Sequence, residues 1–87
     1  MEQEPEHHLV EVTITITDTE GKTKTETKSI PVGPTEVVEL KVELGVPEED
    51  TLWVITKEGK KHQLGDHEVH DVKEGDRYEA LPRGGVS

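Results

Sequence analysis

The residues with the most chemical potential stand together near the end of the chain, where Arg83 is followed by Gly84 and Gly85, and then by Val86 and Ser87. Neither a helix nor a strand needs two adjacent glycines to finish. Without Cβ atoms the pair is slim and reaches any φ and ψ, which suits a segment that another protein must grip, cut or join. Other chemistry-bearing residues are scattered. His67 and His70 have a spacing that places two metal ligands on one helical turn, but the stretch around them and His62 reads as loop or strand, where such side chains diverge. With no cysteine to complete a site, these histidines read as solvated. Glu48, Glu49 and Asp50 read as a solvated loop, not a catalytic carboxylate pair. No Ser-His-Asp set, phosphate loop or zinc pattern occurs. The chain is therefore expected to bind rather than to catalyse, with no cofactor and no metal.

Composition narrows the partners. The chain has 87 residues, enough for one small domain, with 29% hydrophobic residues, 34% charged residues and no Cys. That composition leans toward disorder, but the apolar residues are clustered and periodic, so a folded body with polar ends is expected. Twenty acidic against 10 basic residues give a net charge of −10. This opposes binding to nucleic acid or to anionic membranes and favours basic protein partners. Missing cysteines exclude disulfides and thiol nucleophiles together. No apolar run approaches a signal-peptide core or a membrane span, so a cytoplasmic location is expected.

The elements that must position the tail are legible from periodicity. Residues 1–8, "MEQEPEHH", read as a disordered arm. "LVEVTITIT" alternates Val10, Val12, Ile14 and Ile16 with Glu and Thr, a strong strand signal. "DTEGK" supplies a turn, and "TKTETKSIPV" returns as a weakly apolar strand whose lysines suit a sheet edge. "VGPTEVVELKVELGVP" carries helix punctuation: Thr35 as N-cap, Glu36 and Glu39 in the first turn, Gly45 just past the end, then Pro47. Val37, Leu40 and Leu44 form an apolar stripe that Val38 and Val42 widen. Lys41 lies inside that arc, so its ammonium must snorkel or pair. "TLWVIT" and "RYEAL" read as further strands and "KHQL" as an optional brief one, with "GDHEVHDVKEGD" a polar loop anchored by Val69 and Val72. On "TLWVIT", inward Leu52 and Val54 put Trp53 and Ile55 outward, so Trp53 is a candidate recognition anchor. Tyr78 reads as core.

This order, β, β, α, β, (β), β, closing on Arg-Gly-Gly, resembles ubiquitin and the β-grasp family over nearly the whole chain after about Leu9. "TEGKT" resembles the family's first hairpin turn. The Val37, Leu40, Leu44 stripe with Lys41 resembles its single helix, "GVP" the helix end, "LWV" the third strand and "RGG" the conjugating tail. The chain departs from ubiquitin in its acidity, its N-terminal arm and Pro82. The ending from Val69 to Pro82 is closer to small ubiquitin-like proteins of bacterial operons that also encode an activating enzyme, a conjugating enzyme and a metallopeptidase. The resemblance implies an α+β, ubiquitin-like β-grasp fold (ββαβ(β)β), a mixed sheet with one helix across it, over residues 9–81, with a flexible conjugation tail at 82–87. It also places Trp53 and Ile55 on the family's partner-binding strand, with Arg77 beside Trp53 at cation–π distance.

The resemblance further implies what the tail does. Cleavage after Gly85 would remove Val86 and Ser87. The freed carboxylate would be adenylated by an activating enzyme, held as a thioester on a conjugating enzyme, and joined to a lysine of a target protein by an isopeptide bond. Arg83, Gly84, Gly85 and Val86 are the expected conjugation and processing residues. If chains form, Lys22, Lys24, Lys57, Lys60 or Lys61 could accept. Two alternatives stand beside the modifier: a sulfur carrier that takes sulfur as a thiocarboxylate on the second glycine, and a non-covalent interaction module centred on Trp53.

Overall fold

Alternating β-branched residues and Thr build the long first strand, β1 (Leu9–Thr17), which pairs antiparallel along its whole length with β2 (Thr23–Pro31). Side chains alternate across the pleat, so Val10, Val12 and Ile14 point to one face and are buried there. The computed structural model describes residues 8–83. The remaining strands are β3 (Gly33–Glu36), β4 (Thr51–Ile55), β5 (Lys61–Leu64), β6 (Val69–Val72) and β7 (Arg77–Leu81), and helix α1 spans Val37–Leu44. The main sheet runs β2-β1-β7-β4-β5, with β1 and β7 parallel and the other pairs antiparallel. β3 and β6 form a separate two-stranded ladder. A mixed five-stranded sheet with one helix is an α+β architecture of the β-grasp type.

The core lies between sheet and helix. Val37, Leu40 and Leu44 of α1 meet Val12, Ile14, Leu52, Tyr78 and Ala80 of the sheet, all essentially inaccessible to water. Full burial of each large aliphatic side chain contributes roughly 1.5–3 kcal/mol. Gly45 ends the helix with φ 75°, a left-handed conformation that a Cβ would disfavour. There Gly45 donates its N–H to the Val42 carbonyl (3.2 Å) and Val46 to the Lys41 carbonyl (2.9 Å). As expected, β2 is an edge strand; its Lys24 and Lys28 both pair with Glu26, at 3.1 and 3.3 Å.

Four local expectations are corrected. Thr35 does not cap the helix: it belongs to β3, its hydroxyl donates to the Gly33 carbonyl, and Glu36 occupies the cap position in extended backbone without a side-chain cap bond. Backbone pairing of β3 with β6 holds this residue pair in place instead. Val38 and Val42 do not widen the buried stripe; they are 45% and 77% exposed, because the sheet contacts only the Val37, Leu40 and Leu44 side of a short helix. The polar stretch after residue 65 contains β6, where Val72 is buried but Val69 is exposed. Asp50 is not solvated: the turn that follows the helix folds it inward to 7% exposure.

Candidate functional site

The segment that leads to the glycines is the central strand. β7 lies between β1 and β4, with Ile14 opposite Tyr78 on one side and Leu52 opposite Ala80 on the other. Its far end, Leu81, is paired with Thr51, so the chain leaves the sheet at Pro82 from a strand held on both flanks. Arg83 follows with a side chain 66% exposed, its Nη2 3.9 Å from Asp66 Oδ2. Gly84, Gly85 and Val86 lie outside the described residues, as does all of the N-terminal arm except His8.

Asp66 connects the root of the tail to the core. Lys41 is only 3% exposed. Its ammonium donates to Asp66 Oδ1 at 2.8 Å, to the Glu48 carbonyl at 3.2 Å and to the Asp50 carbonyl. Three acceptors match the three protons of an ammonium, which is what burial of this charge requires. The Lys41 hydrogen bond, and more weakly the charges of Lys41 and Arg83, hold the Asp66 carboxyl below its ordinary range. Burial, with the neighbouring Glu49 carboxylate, pushes Asp50 the other way, against a weaker pull from Lys41. Of the two outcomes open to Lys41, snorkelling or pairing, it pairs, and its partner Asp66 is an acid that the sequence does not single out. The signal was available: a buried lysine demands a carboxylate, yet nothing in the sequence says which of twenty acids supplies it.

The opposite end of β7 holds a second polar cluster. Asp76 Oδ2 accepts from the Tyr78 hydroxyl (3.0 Å) and the Lys73 N–H (3.0 Å), and lies 3.2 Å from His70 Nε2. The His70 and Tyr78 rings meet edge to face, 5.5 Å between centres. Burial first, then the charge of Asp76, raises the Tyr78 phenol well above its ordinary range, so it stays a donor. His70 is therefore not a solvated histidine. β6 carries it inward against Tyr78, whereas His62 and His67 are exposed. Among the described residues no cluster of His, Asp and Glu is placed to hold a metal ion.

On the outer face of the sheet Trp53 and Ile55 are half-buried, not fully exposed. Glu79 stands directly opposite Trp53, and Arg77 opposite Ile55. The expected side-by-side placement of Arg77 and Trp53 is thus off by one pair, and no cation–π contact occurs among the described residues. Lys61 on β5 and Glu79 on β7 form an ion pair at 2.6 Å across the strand that carries Trp53. The Trp53 indole Nε1 is buried and has no acceptor among the described residues. The face remains an apolar strip of Trp53 and Ile55 bordered by Lys61, Glu79 and exposed Arg77. No helix of the described residues is long and apolar enough to cross a membrane. Compared with family models, with curated proteins and with solved structures, the chain matches none of them.

Proposed function

We propose that the chain is a ubiquitin-like protein modifier, a substrate rather than a catalyst, whose working group is the carboxylate of Gly85 once the peptide bond after it is cut. The observation that supports this most is the position of β7: the strand leading to Arg83-Gly84-Gly85 is the central strand of a β-grasp sheet. A body of this kind is a rigid handle, and the glycines are the slim part that enters a narrow site. In the proposed sequence a peptidase hydrolyses the Gly85–Val86 bond. The Gly85 carboxylate then attacks the α-phosphorus of ATP, bonding to AMP and releasing pyrophosphate. A partner's cysteine thiolate displaces AMP to form a thioester, and a neutral lysine amine of a target displaces that sulfur, which leaves as the thiol with the proton lost by the amine, so that an isopeptide bond remains. Trp53, Ile55 and Arg77 form the proposed surface on which the activating and conjugating enzymes read the body.

The reading is tested by co-expressing the tagged chain with the adenylating enzyme, conjugating enzyme and metallopeptidase of a bacterial ubiquitin-like operon. Intact mass is expected to show loss of Val86 and Ser87, followed by ATP-dependent adducts that disappear in the Gly84→Ala, Gly85→Ala double variant. A sulfur carrier would instead show oxygen replaced by sulfur at Gly85 and no adducts. Processing at another bond, or adducts that survive the double variant, would overturn the assignment.

A further inference from the structure

The outward side of α1 breaks two rules of a solvent-facing helix. Val38 and Val42, one turn apart, are exposed, although β-branched residues are poor helix formers and gain nothing there from packing. Beside them Glu39 and Glu43, also one turn apart and exposed, repel one another, and neither has an ion-pair partner among the described residues. Local rules broken without a gain inside the molecule mark a surface shaped for something outside it.

A cavity of about 320 Å³ opens along this side, lined by Val38, Lys41, Val42, Val46, Glu48 and Asp66. That volume is at the small end of ligand pockets and suits side chains rather than a large cofactor. The Glu48 carboxylate has no partner among the described residues, and the Asp66 Oδ2 has only the distant Arg83 guanidinium, 3.9 Å away. A groove lined by three valines together with Glu48 and Asp66, on a helix that also exposes Glu39 and Glu43 and in a chain of net charge −10, complements an occupant that is both aliphatic and cationic. This surface lies on the helix side, away from the Trp53 face of the sheet.

We infer that the outer side of α1 is a docking groove for a basic amphipathic segment of a partner protein. Aliphatic side chains of the segment enter between Val38, Val42 and Val46, and its Lys or Arg residues meet Glu39, Glu43 and Glu48. The inference does not depend on conjugation through the tail.

The test uses the full chain and a synthetic peptide of about twelve residues, Leu and Lys placed at helical spacing, beside a scrambled peptide of the same composition. Amide shift changes on titration are expected to centre on Val38, Val42, Val46 and Glu48, with the scrambled peptide weaker by about tenfold or more. Val42→Glu is decisive because its two effects oppose. It blocks the groove but adds negative charge at an exposed position that does not threaten folding. The groove predicts a loss of about tenfold or more, whereas attraction by charge alone predicts tighter binding. Trp53→Ala is expected to leave the affinity unchanged. Equal binding of both peptides, tighter binding to Val42→Glu, or shifts centred on the Trp53 face would overturn the inference. So would self-association of the free chain that Val42→Glu abolishes, since the occupant would then be a second copy.

Discussion

The two ends of β7 are each organised by an aspartate that gathers donors, and they are finished differently. At the start of the strand, Asp76 takes the Tyr78 hydroxyl and the Lys73 N–H on one oxygen and has His70 against it. These partners belong to the strand or to β6 and the turn beside it, and the cluster is closed. At the end of the strand, Asp66 satisfies buried Lys41 with one oxygen and turns the other toward Arg83 at a distance too long for a strong bond. The first cluster fixes where the strand begins. The second supports the core and leaves the residue before the glycines held only weakly, as the proposed function would require.

Substitutions separate these roles. The largest effect is expected at the closed end: Asp76→Ala strips the acceptor from a buried phenol and two further groups, and should lower stability by roughly 2–4 kcal/mol in urea denaturation. Asp66→Asn leaves the Lys41 ammonium with two carbonyls and only a neutral third partner, and should cost about 1–3 kcal/mol at neutral pH. If Asp66→Asn proved the more damaging, the contrast between the ends would be reversed.

Acid sharpens the same comparison. Because Lys41 depresses the folded-state value of Asp66, its contribution is present above the ordinary carboxylate range and fades as pH falls through the folded value. Asp50 runs the other way: burial raises its folded-state value, so its contribution exists in acid and is lost as pH rises through that value. The stability gap between wild type and Asp66→Asn should therefore narrow below about pH 4, while Asp50→Asn should gain on the wild type from acid toward neutrality. Urea midpoints across that range check both signs. The smallest effect belongs to Arg83→Gln, less than about 0.5 kcal/mol, as expected for an exposed pair at the limit of contact.

Much of the fold could be read from the residues because period alone carries it. The β1 alternation, the buried Val37, Leu40 and Leu44, the left-handed Gly45 and the edge character of β2 all follow from local rules. What escaped depends on contacts between distant segments. β3 and β6 are short and polar, and they exist as strands through their pairing with each other; Thr35, attractive as a cap in isolation, is held there opposite His70. Val38 and Val42 looked core-facing because an eight-residue helix has too few positions to show which of its apolar residues the sheet reaches. Around the tail, the need of Lys41 for a partner was visible but Asp66 was not. Beside Trp53, the neighbour depends on a register that places Glu79 there and shifts Arg77 to Ile55.

The central claim is that the β-grasp body delivers a glycyl carboxylate for transfer to lysine, and the sequence allows this to be read bond by bond. Trypsin cuts after Arg83, so each acceptor lysine would keep a Gly-Gly remnant from Gly84 and Gly85. Peptide mass spectrometry of the ATP-dependent adducts is expected to find that remnant on lysine side chains of the targets. Adducts joined through any other residue of this chain, or complete reaction of a form truncated after Arg83, would contradict the account.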